Sequence, residues 1–70
     1  MNTFGERLSW LLNERGITQR ELALRTGLTE SAVSRYVNNQ REPRADGIVK
    51  ICKALEVSAD WLLCLWGVRE

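Results

Sequence analysis

Residues 19–37 read QRELALRTGLTESAVSRYV, and the fold turns on how that stretch divides. Thr18 stands just ahead of it, able to accept a hydrogen bond from a free backbone N–H, and Glu21 three residues on completes the capping-box pattern. A helix is therefore predicted to begin at Gln19. Leu22, Ala23 and Leu24 carry it forward until Thr26-Gly27 interrupts it, and Thr29 offers a fresh N-cap two residues past the glycine. In the segment that follows, turned at about 100° per residue, Ala32, Val33, Tyr36 and Val37 gather on one side. Glu30, Ser31, Ser34, Arg35 and Asn38 fall on the other. One face is made to pack; the opposite face is wholly polar.

Two capped helices joined by a tight turn make a helix-turn-helix. Ala23 falls where the two axes would cross, and its small side chain permits close approach. Gly27 supplies the positive φ of the turn, and Val33 fastens the second helix to the first. A small residue, a glycine four positions later and a β-branched residue six further on, inside matched caps, form a more specific signal than any one of them.

Upstream, Phe4, Leu8, Leu11 and Leu12 repeat at i, i+4, i+7 and i+8, which predicts a helix over residues 3–15 ended by Gly16. Downstream, residues 38–43 (NNQREP) hold no apolar side chain and finish in proline, the composition of an exposed loop. Ile48, Ile51, Cys52 and Leu55 restore a helical stripe, and Ser58 with Asp60 supplies a cap and a first-turn acid for a last helix. Residues 61–66 (WLLCLW) are apolar around the whole circumference, so part of that helix is expected to meet another molecule. The expectation is an all-α bundle of five helices, without strands, in a single domain over residues 1–70. Trp61 belongs to its core and Tyr36 lies buried between helices. Trp10 falls off the apolar stripe and is partly exposed or covered by the C-terminal residues.

Composition narrows the function classes. Seventy residues leave room for one compact unit. Histidine is absent, which removes the commonest general base and the commonest metal ligand. Cys52 and Cys64 lie among Ile, Leu and Trp with no partner at ligand spacing, and read as small buried hydrophobes rather than as a disulfide or a metal site. No catalytic residues, cofactor or small-molecule substrate are implied, and the longest apolar run is far below a membrane span, so a soluble intracellular protein is expected. Ten Lys and Arg against nine Asp and Glu leave only +1 overall, yet residues 15–44 hold six arginines against three acids while each flank stands at −1. That local excess is the modest positive face that phosphate attraction requires.

With these features together, the chain resembles the lambda-repressor-like helix-turn-helix family, the phage Cro and repressor type. The resemblance rests on Gly16-Ile17-Thr18-Gln19 leading into Glu21-Leu22-Ala23, on Thr26-Gly27-Leu28-Thr29, on Val33-Ser34-Arg35-Tyr36, on Pro43 ahead of the fourth helix, and on residues 53–62 (KALEVSADWL). It implies a lambda repressor-like five-helix bundle acting as a sequence-specific transcriptional regulator, a cytoplasmic repressor of phage or prophage type. Such a protein occupies double-stranded operator DNA as a homodimer, with the helix after Thr29 in the major groove. An antitoxin or adaptor that uses the same bundle to hold a partner protein is the alternative. Three departures from the family pattern stand out: Glu56 and Asn39 each stand where glycine is usual, and Leu12 with Val37 replaces a buried Arg–Glu pair.

Roles can then be assigned. Arg35 projects from the middle of the polar face, where its fork can meet O6 and N7 of guanine. Ser31 and Ser34 are short enough to let the helix approach closely and can bond a base edge or a phosphate. Glu30 can accept from cytosine N4, repel a phosphate to enforce register, or serve only the helix N-terminus. Gln19 at the start of the second helix and Thr29 at the start of the third are assigned to the DNA backbone. The resemblance adds Asn38, Gln40, Arg41 and Arg44 around the loop to that backbone set. Leu65, Trp66 and Val68 are the expected dimer patch, with intramolecular packing as the competing account.

Overall fold

A computed structural model of the chain describes residues 3–63. Five helices succeed one another, α1 (Phe4–Arg15), α2 (Gln19–Thr26), α3 (Glu30–Val37), α4 (Ala45–Leu55) and α5 (Ala59–Leu62), with no strand among the described residues. The all-α architecture and the helix-turn-helix of α2 and α3 are as the sequence predicts.

Helix starts follow local capping chemistry. Thr18, Thr29 and Ser58 each accept a bond from the backbone N–H three residues on, at 3.0–3.1 Å. The reciprocal capping box, however, forms at α1 and not at α2. Thr3 accepts from the Glu6 N–H at 3.1 Å, and the Glu6 carboxylate accepts from the Thr3 N–H at 3.1 Å. At α2 the Glu21 carboxylate instead pairs with Arg25 at 2.8 Å, because an opposite charge one turn along competes for it.

Helix ends use the left-handed conformation at Gly16, Asn39 and Glu56 (φ 64, 58 and 55°). Each then closes a Schellman turn: Ile17 donates to the Leu12 carbonyl at 2.9 Å, Gln40 to Arg35 at 2.8 Å and Val57 to Cys52 at 3.1 Å. Gly27, with φ 77°, ends α2 through a single bond to the Ala23 carbonyl. Glu56 therefore performs a glycine's task with a side chain attached, at a cost of about 1 kcal/mol. Replacing the exposed Glu56 with glycine is expected to stabilise the protein by that amount and to raise the melting temperature by about 4–8 °C in a calorimetric scan. An unchanged or lowered midpoint contradicts this.

The core takes Leu8, Leu11 and Leu12 from α1, Leu22 and Ala23 from α2, Val33 and Tyr36 from α3, Ile51 and Leu55 from α4 and Leu62 from α5. Helix α2 packs on α3 and α4, while α1 packs on α3 and α5. Leu12 is buried and Val37 lies half-buried against the core, so this region carries no desolvation cost for an ion pair.

The C-terminal expectation needs correction. Trp61 is half-buried rather than central, since α5 has a single turn and gives its inward position to Leu62. The Trp61 ring rests against Trp10 with centroids 5.8 Å apart, and the Arg7 guanidinium lies 4.9 Å from its centroid. Trp10 remains 43% exposed. Leu63, exposed, follows α5 in a turn, and the rest of the predicted apolar helix, residues 64–66, lies outside the described residues. Cys64 and the expected dimer residues Leu65, Trp66 and Val68 lie outside the described residues. Cys52 is half-buried beside the core, not fully enclosed, and that burial pushes its thiol pKa up.

Candidate nucleic-acid interface

The orientation of α3 is set from its inner side. Val33 has no exposed surface, and Tyr36 is 6% exposed. The Tyr36 ring meets Phe4 edge-on, with centroids 6.5 Å apart and planes at 82°, and its hydroxyl reaches toward Gly47 on α4. Tied to α1 and α4 in this way, Tyr36 is a packing residue with no face free to stack on a base.

With that side fixed, helical geometry sends Glu30, Ser31, Ser34 and Arg35 outward together. Ser31 and Arg35 stand one turn apart and are both exposed, as is Glu30 in the first turn, whereas Ser34 is half-buried. The Ser34 hydroxyl takes a long contact of 3.5 Å from the Asn38 amide. Among the described residues no hydrogen bond or ion pair engages the Arg35 guanidinium. Flanked by two serines, it is the longest group on this face. The structure thus gathers all four expected base-facing residues on one surface.

The expected backbone-contacting residues fall into two groups. Gln19 and Thr29 occupy the starts of α2 and α3; Gln19 is half-buried, and the Thr29 hydroxyl already accepts from the Ala32 N–H at 3.0 Å. Asn38, Gln40, Arg41 and Arg44 follow one another from the end of α3 to the start of α4, all exposed. Arg44 holds the N-cap position of α4, but its side chain makes no capping bond and stays available.

Fewer cations of residues 15–44 are free than the sequence count implies. The Arg15 guanidinium donates to the Leu55 carbonyl, placing a cation on the free acceptor at the end of α4. Arg25 is held by Glu21. Arg20, Arg35, Arg41 and Arg44 remain as the uncommitted cations of this region, opposed by Glu30 and Glu42.

One contact is missing from the sequence reading. The Asn39 side chain reaches back to α1, where its Oδ1 accepts from the Gly5 N–H at 3.0 Å and its Nδ2 donates to Thr3 Oγ1 at 3.1 Å. Gly5 is buried there, and a Cβ on it would stand 2.3 Å from the Val37 carbonyl oxygen. The signal available in the sequence is the glycine itself, which costs about 1 kcal/mol against alanine inside a helix and so asks for a packing reason.

Comparison with known proteins agrees with this geometry. A family model described as Helix-turn-helix matches residues 8–62. The chain is 37% identical over 62 residues to the HTH-type transcriptional regulator for conjugative element R391 of Providencia rettgeri, covering 89% of this chain and 28% of that protein. It is 34% identical over 71 residues to the HTH-type transcriptional repressor RghR of Bacillus subtilis (strain 168), covering all of this chain and 53% of that one. The chain therefore spans between about a quarter and a half of the length of these relatives. Among solved structures, the P22 c2 repressor in complex with synthetic operator 9T superposes with a TM-score of 0.85 at 28% identity, over 90% of this chain and 96% of that one. The restriction-modification controller protein C.AhdI from Aeromonas hydrophila gives 0.82 at 33% identity, over 86% and 91%. A family match across α2 and α3, on a bundle that superposes on a phage repressor, places this chain in the helix-turn-helix family, of the lambda-repressor-like type.

Proposed function

We propose that this protein is a transcriptional regulator that binds a specific operator sequence in double-stranded DNA, as a cytoplasmic repressor of the phage or mobile-element kind. The observation that carries the reading is the outer face of α3: Ser31, Ser34 and an unengaged Arg35 point outward because Val33 and Tyr36 lock the inner face. A helix so presented fits the major groove, and two copies on a pseudo-palindrome would place their α3 helices about 34 Å apart. Arg35, Ser31, Ser34 and Glu30 address base edges; Gln19, Thr29, Asn38, Gln40, Arg41 and Arg44 address phosphates. The activity is binding alone, with no covalent step, metal or cofactor. The operator-bound P22 c2 repressor and the named regulators among the relatives support it.

The test is a titration on random and selected DNA at several salt concentrations. A regulator shows a steep salt dependence and a preference for selected DNA of about 4 kcal/mol or more. Arg41→Ala is expected to weaken binding to every sequence alike and to make the salt slope shallower by about one unit. A second reading, a module that chiefly holds a partner protein, draws on the open, mainly apolar groove of about 340 Å³ lined by Trp10, Leu11, Val57 and Trp61 with Arg15 and Ser58. A flat salt response without sequence preference would favour that reading.

A further inference from the structure

The contact between Asn39 and α1 joins the end of α3 to the start of the chain's first helix. The first N–H groups of a helix have no partner within it. At α1 the Thr3 hydroxyl satisfies the Glu6 N–H, and the Asn39 amide, 34 residues away in sequence, satisfies the Gly5 N–H. Its other end donates to the same Thr3 hydroxyl. One side chain therefore serves as a second cap for α1 while its own backbone makes the left-handed turn that ends α3. Gly5 is what lets the two elements come this close, since its α-carbon faces the Val37 carbonyl with no room for a methyl group.

This latch sits at the root of the loop that carries Gln40, Arg41 and Arg44. Arg41 and Glu42 line a depression of about 360 Å³ with Thr3, Phe4 and Asn39, so the loop leaves α3 along the start of α1. Without the side-chain bonds, only the Schellman turn would direct the exposed residues that follow. A glycine would make that turn at no backbone cost, but it would leave the loop unattached to α1.

We propose that Asn39 is a positioning residue for DNA-backbone contact: by clamping the end of α3 to the start of α1, it holds Gln40 and Arg41 at a fixed angle to the base-reading face. The proposal rests on the operator-binding reading above. Pre-ordering these side chains removes an entropic cost that a free loop would meet on binding.

Asn39→Gly is the deciding variant, because it keeps the left-handed turn and removes both latch bonds. Its affinity for the selected operator should fall about tenfold, with a salt slope shallower by about one unit and base preferences unchanged. Amide exchange of Gly5 should quicken, and the order parameters of residues 40–42 should drop in the free protein. Wild-type protein in the same titration separates the two ideas. If it discriminates operator from random DNA while Asn39→Gly matches it in affinity and salt slope, the positioning role is wrong and the operator reading stands. Wild-type protein without discrimination removes both. A variant that loses base preference would place Asn39 in base recognition instead and would equally overturn the proposal. Thr3→Ser, which keeps the hydroxyl that accepts from Asn39, should retain wild-type affinity; a tenfold loss there counts against the latch.

Discussion

Arg35→Ala is expected to erase the preference for one base pair of the operator while leaving the others in place. The guanidinium is the longest group on the outer face of α3 and is held by no other described residue, so it can present both arms to O6 and N7 of a guanine. A bidentate pair of that kind discriminates against the wrong base by about 1–3 kcal/mol, a factor of roughly 5 to 150 at that position. Competition between operators carrying each of the four bases at each site measures this directly. Arg35→Lys sharpens the result, since lysine keeps the charge and loses the fork. Retained affinity with lost preference in the lysine variant marks a base contact. If both variants lose affinity uniformly and every base preference survives, Arg35 meets a phosphate, and the base-reading face has been set in the wrong place.

The second large effect concerns the scaffold. Leu22→Ala removes a side chain with no exposed surface from α2, the helix that packs on both α3 and α4. Truncating a buried leucine costs about 2–5 kcal/mol through lost transfer energy and the cavity left behind. A chain of this length has only roughly 4–10 kcal/mol of stability in total, so the variant should lose about half of it. Its melting temperature should fall by more than about 10 °C in calorimetry. Because operator DNA binds the folded state alone, saturating DNA should restore part of that loss. Leu24→Ala on the same helix is the matched control: Leu24 is 77% exposed, and its truncation should change stability by less than about 0.5 kcal/mol. A drop of under about 5 °C for Leu22→Ala, or equal effects for the two leucines, would show that α2 is not the centre of the core.

Much of this architecture is written in short-range chemistry. The starts of α2, α3 and α5 depend on Thr18, Thr29 and Ser58 bonding three residues ahead, and the ends of α1 and α2 on glycines whose carbonyl partners lie within five residues. The two faces of α3 follow from the helical period, which is why the outward placement of Glu30, Ser31, Ser34 and Arg35 was legible. Competition between local partners was already harder to read: Glu21 had both the Thr18 backbone and Arg25 within reach, and geometry chose Arg25.

The amino-acid order by itself determined five helices, the Thr18, Thr29 and Ser58 caps and the division of α3 into a packing side and a polar side, because each depends on residues no more than a few positions apart. Only the tertiary structure decided that Asn39 bonds Gly5 and Thr3, that Arg15 donates to the Leu55 carbonyl 40 residues away, and that Trp61 lies at the rim with Trp10 and Arg7. Those partners are distant in the chain and meet only once the angles at which helices cross are settled. Crossing angles are set by how whole side-chain surfaces interlock, a property that no single stretch of sequence carries.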